Sequence, residues 1–352
     1  MLAAIRCKTI LITTVHILIV AAATAAPPPP TLETVRLVTS KLTNPVKKIP
    51  IPRGKPITSS VRESLERARD EILTWGLLVD DTFSQDGCNT PTRASCDETF
   101  WNGIYCSNPY SDRNLSNIAC EAVSRAQDLD GMLWRSPWEA RQQNSSNPDF
   151  FSRDQGLATL ASLTRTANRT LWNAWLSYIS RNGGYMCPHH WDCTLVTPYF
   201  CTMDKVAQHM NLTRPDPNLM IPKLGRNVCT DFDHDFVYTS CFVNEQGSAL
   251  HLASLDVYIR RNLVGEWDTR LQAAADRLHA RDPENVWFEW LAKGGSDDLA
   301  TRLLSQIPLP PNSTSPPRMR TQWSFVREDK ERAYLESMGW EFVFLIDYLL
   351  GT

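Results

Sequence analysis

Apolar residues recur at helical spacing through most of this chain. Val61, Leu65, Ile72, Leu73, Leu77 and Leu78 mark one face of a helix that opens on Ser60-Val61-Arg62-Glu63, a capping-box pattern, and ends near Asp80. Ile118, Cys120, Val123 and Ala126 mark another, stopped at Asp128-Leu129-Asp130-Gly131. Between them, Phe100, Trp101, Ile104 and Tyr105 read only as a short apolar patch.

The best-defined helix start follows. In Phe151-Ser152-Arg153-Asp154-Gln155-Gly156, Ser152 and Gln155 are spaced as a capping box, and Leu157, Leu160 and Leu163 form the apolar face behind them. Residues 167–181, with Leu171, Trp172, Trp175, Leu176 and Ile179 on one side, pair with this helix as a hairpin. A short helix is expected around 203–210. A long one is marked by Leu250, Leu252, Leu255, Ile259 and Leu263, and more are expected over 268–280, 283–292, 296–306 and 338–350. Two segments, 183–201 and 225–245, read as irregular excursions. The pattern thus predicts roughly nine to eleven helices and no run of strands, an all-α fold. Helix pairs with long irregular loops suit an α/α toroid of helical hairpins with disulfide-bearing loops crowding one mouth; a layered helical bundle is the alternative.

The N-terminus changes the compartment. Arg6 and Lys8, an apolar run over 10–20, and Ala23-Thr24-Ala25 form a secretory signal with cleavage expected after Ala25. The apolar run falls short of the about 20 residues of a membrane span, and no later segment is apolar enough, so no stable membrane span is expected. Residues 26–57 are proline-rich and read as an extended linker; 58–352 read as a single all-α domain.

Nine of the ten cysteines then read as a disulfide framework. Cys7 leaves with the signal. Local pairing suggests Cys88 with Cys96, Cys106 with Cys120, and Cys187 with Cys193, and one cysteine is left unpaired or bridges chains. Sequons at Asn114, Asn144, Asn168, Asn211 and Asn312 agree with a secreted, extracellular glycoprotein. The formal charge is −3, and loss of Arg6 and Lys8 deepens the acidic excess, which argues against a nucleic-acid partner.

The motif Phe151-Ser152-Arg153-Asp154-Gln155-Gly156-Leu157, together with Asp130-Gly131-Met132-Leu133-Trp134-Arg135-Ser136-Pro137 and Ser337-Met338-Gly339-Trp340-Glu341-Phe342, resembles a group of secreted animal proteins that brings no established activity. That resemblance implies secretion and a domain covering about 84–350. The polar helix start with its Gly-Leu-rich face is also similar to helices lining the mouth of α/α toroid glycan-processing enzymes.

Candidate chemistry centres on Asp154. An acid in a first helical turn is held ionised by the macrodipole and free amides, which suits a base; the structural alternative is a helix-start acid paired with Arg153 or Arg135. Arg153 and Arg135 could hold a carboxylate or sulfate. Asp233, within Asp231-Phe232-Asp233-His234-Asp235, could be the second carboxyl that glycosidic hydrolysis needs. His189 could act as acid or base and His190 could bind substrate, both between Cys187 and Cys193. Their spacing matches no zinc signature, so no metal and no cofactor are expected. Twelve tryptophans, with Trp134 and Trp323 in expected loops, point to carbohydrate, because sugar C–H faces bury well on indoles. Trp172, Trp175, Trp287 and Trp290 lie on helical faces and are assigned to the core. The expected function is a glycan-active hydrolase or lyase working through carboxylates at the mouth; the alternative is a non-catalytic secreted binding or structural glycoprotein. Substrate and oligomeric state are not set by the sequence.

Overall fold

Helical periodicity becomes helical structure through most of the described residues. The computed structural model describes residues 54–75, 78–79, 82–83, 98–142, 151–188, 193, 195, 197–216, 248–266, 269–307 and 339–351. In order these form α1 (Ser59–Trp75), β1 (Leu78–Val79), β2 (Thr82–Phe83), α2 (Glu98–Ser107), α3 (Arg113–Arg125), α4 (Pro137–Gln142), α5 (Arg153–Thr166), α6 (Arg169–Arg181) and α7 (Thr197–His209). Then come α8 (Ser248–Val257), running into a π-helical segment (Tyr258–Leu263), and α9 (Thr269–Arg281), α10 (Val286–Lys293), α11 (Asp297–Gln306) and α12 (Trp340–Gly351). The described residues are mainly helical, and β1 and β2 pair as one two-residue antiparallel ladder. All of them belong to one compact unit, Val46–Thr352.

Several expectations change, among them the start of α7, which begins at Thr197 inside the segment expected to be irregular. The first helix stops at Trp75, and Leu78, expected on its apolar face, pairs with Phe83 in the small hairpin instead. Gly76 follows Trp75 directly, and glycine is a common helix terminator. The patch around Phe100 and Tyr105 is a full helix, α2, with all ten of its residues buried.

Packing explains why α2 is central. Gly103 brings its backbone onto α5: a Cβ there would lie 2.4 Å from the Ala158 carbonyl oxygen. Only glycine allows this approach. The Cys106–Cys120 disulfide then staples α2 to α3, and Cys187 is bonded to Cys193. Cys88 and Cys96 lie outside the described residues.

The four indoles assigned to the core, Trp172, Trp175, Trp287 and Trp290, are all 0% exposed. Trp287 and Trp290 stack at 5.2 Å, and Tyr258, Phe344 and Tyr348 close around them. Burial of such rings is worth on the order of 2–3 kcal/mol each relative to exposure. Hydroxyls inside this aromatic cluster are satisfied, with Ser107, Tyr258 and Tyr348 linked at 2.9 and 2.8 Å. At the periphery, the end of the proline-rich arm is pinned: the Lys55 amide donates to the Gly295 carbonyl and the Thr58 amide to Asp297.

Candidate functional site

Asp154 sits in the first turn of α5, whose buried face of Leu157, Leu160 and Leu163 fixes the helix against the core. Gln155 fills its capping role, accepting the Ser152 amide at 3.2 Å through Oε1. The Ser152 side chain completes the expected capping box with the Gln155 backbone, and its hydroxyl donates to Asp154 Oδ1, which also accepts the Gln155 amide at 3.0 Å. Ser152 therefore serves Asp154 directly.

The second carboxylate oxygen faces a residue that the sequence did not single out. His251, on the first turns of α8, places Nε2 3.5 Å from Asp154 Oδ2. His251 is nearly buried, and its ring lies 5.1 Å from that of Phe100 on α2. Asp154 keeps 22% of its side chain exposed. Burial pushes its carboxyl up, but the hydrogen bond and charge of His251, the Ser152 hydroxyl and the Arg135 charge outweigh it and lower it to about 2. Asp154 is thus ionised at neutral pH. A fixed carboxylate beside an imidazole orients the ring, as in proton-transfer sites built on histidine.

Two further elements frame the pair. The Arg135 carbonyl accepts the Thr99 amide at 2.9 Å, which draws the segment before α4 onto the start of α2. From α7, Tyr199 packs its hydroxyl against Gly156, where a Cβ would lie 2.0 Å away. Gly156 thus leaves room for the Tyr199 side chain where α7 meets the α5 start.

Of the residues expected to carry function, Asp154 and Arg135 are brought together electrostatically, and Arg153 is half-buried beside Asp154 in the same turn. Trp134 is 8% exposed and donates its indole N–H to Asp128 at 2.9 Å, so it is held by packing and by that bond. His189, His190, Asp233 and Trp323 lie outside the described residues. His251 was missed because Leu250-His251-Leu252 reads as part of an apolar helical face. A buried polar residue within such a face was the available signal.

Among the described residues no group of three or more His, Cys, Asp or Glu side chains is placed to hold a metal ion. Among the same residues no helix is long and apolar enough to cross a membrane. A separate charged network links α7 and α8, with Thr202 bonded to Asp256 and Arg260 paired to Glu266 at 2.7 Å. Comparison of the chain with family models, curated proteins and solved structures found no match.

Proposed function

We propose that this protein is an extracellular acid–base enzyme acting on glycans, a hydrolase or a lyase, with its site at the start of α5. The observation that carries the reading is the 3.5 Å approach of His251 Nε2 to an Asp154 carboxylate kept ionised by His251, Ser152 and Arg135. Perturbed acids with a specific charged partner are enriched at functional sites. In this reading His251 exchanges the proton with substrate. Asp154 orients it, a shift from the earlier expectation of Asp154 itself as base. Arg135 and Arg153 bind an anionic sugar substituent, and the helical hairpins close into a ring whose mouth holds the site.

A second reading has a specific observation in its favour. Both Asp154 oxygens already have protein partners, His251 on one and Ser152 and the Gln155 amide on the other. That is the environment of a structural acid in a non-catalytic secreted glycoprotein. Turnover decides between them: wild-type protein is assayed against uronic-acid and sulfated glycans beside Asp154→Asn. Loss of turnover in the variant supports the enzyme, and absence of turnover by both supports the structural protein.

A further inference from the structure

Asn114, Asn168 and Asn211, the described sequons, occupy one pole of the helix cluster. α2 and α5 lie side by side and run in the same direction: Gly103 meets Ala158, Cys106 Sγ lies 3.9 Å from the Ser162 carbonyl oxygen, and Arg165 donates to the Asn108 carbonyl at 2.7 Å. Phe100, His251 and Asp154 are therefore at the starting end of both helices, while Asn108 and Arg165 are at the finishing end. Asn114 opens α3 just beyond Asn108, and Asn168 follows the last turn of α5. α7 starts at Gly156 through Tyr199 and finishes at the same far end, where the Thr213 carbonyl accepts the indole N–H of Trp172 at 2.7 Å. At a rise of 1.5 Å per residue, Asn211 is about 18 Å along α7 from Tyr199.

The three asparagines differ in what their side chains do. Asn168 caps α6, accepting the Leu171 amide at 3.1 Å, and donates to the Ser124 hydroxyl at 3.2 Å. Asn114 is exposed in the first turn of α3, where the backbone is held by Asp112. Asn211 is exposed in the turn that ends α7, with φ of 52°, a conformation asparagine adopts more readily than most residues. Its neighbour Leu212 is buried and donates its amide to the Ala207 carbonyl at 2.8 Å, so the turn is fixed and the asparagine stands out from it.

We infer that Asn114 and Asn211 carry N-linked glycans, placed on the pole opposite Asp154 and His251, so that these two of the described sequons leave the site end uncovered. Asn168, whose amide is already engaged, is left out of the assignment. The inference rests on the extracellular reading of the chain, since the modification requires passage through a secretory pathway. Bulky, hydrated sugar at the far pole limits association there and leaves the approach to His251 open to a large substrate.

The test expresses the full chain in glycosylation-competent cells. Protein is recovered from medium and cells and treated with an amidase that converts glycosylated asparagine to aspartate in heavy-oxygen water, and the peptides are weighed. Heavy aspartate at positions 114 and 211, and faster gel migration by one glycan for each of Asn114→Gln and Asn211→Gln, is the expected result. Secreted protein lacking the label at either position overturns the assignment while the extracellular reading stands. Protein confined to the cytosol with no label anywhere overturns both.

Discussion

Gly103 of α2 and Ala158 of α5 touch backbone to backbone, with room for no side-chain atom between them. This contact sets the helix pair that carries Phe100 to His251 and Asp154 to the same place. Gly103→Ala forces the helices apart, and overpacking of this kind costs about 1–3 kcal/mol. Urea denaturation is expected to show that loss, whereas an unchanged midpoint would show that the helices meet elsewhere.

Asp154 predicts an acid-sensitive increment of stability. Its carboxyl is lowered to about 2 in the folded chain, so ionised Asp154 stabilises the fold above the unfolded value near 4, and the contribution is lost as pH falls through about 2. The increment is on the order of 2 kcal/mol. Asp154→Asn is therefore expected to be less stable than wild type at pH 5, with the gap closing toward pH 2. A gap independent of pH in urea titrations would contradict the lowered Asp154 carboxyl.

Asp347 predicts the opposite trend. Arg69 Nε lies 2.5 Å from its carboxylate and Tyr105 at 3.3 Å, yet burial dominates and raises the carboxyl to about 6. The folded chain then binds a proton that the unfolded chain has lost, so this contribution is full below about pH 4 and disappears as pH rises through 6. In the difference between wild type and Asp347→Asn, stability should decline over that window. A flat difference from pH 4 to 7 would show Asp347 to be ionised throughout.

The Cys106–Cys120 bond closes a short loop, with a sequence separation of 14. Replacing both cysteines by alanine is expected to cost about 3 kcal/mol, chiefly by freeing the unfolded chain. Thermal melts of the double variant check this; equal melting temperatures would mean that α2–α3 packing alone holds the pair.

A polar face or a capped start made most of the described helices legible. α6 and α9 were readable because apolar and polar residues alternate at the helical period, and α5, buried from Gln155 to Leu163, because its start is capped. α2 was reduced to a patch because it is buried on every side, and a helix without a wet face has no visible period. α1 was overextended because Leu77 and Leu78 continue its spacing past Trp75, where the helix stops. The same logic governs the site. Asp154 stood out because a capped helix start displays its acid, while His251 was hidden inside the apolar face of α8. Spacing placed Ser152 in its capping box but could not show that its hydroxyl also donates to Asp154.

The most direct measurement is turnover of uronic-acid and sulfated glycans by wild type, Asp154→Asn and His251→Gln, with near-ultraviolet circular dichroism confirming that all three are folded. Loss of a proton-transfer group or its orienting partner costs typically about 10²–10⁴-fold in rate. Turnover by wild type with losses of at least about 100-fold in both variants is the expected result. Equal turnover by all three, or none by the wild type, would contradict an acid–base site at Asp154 and His251.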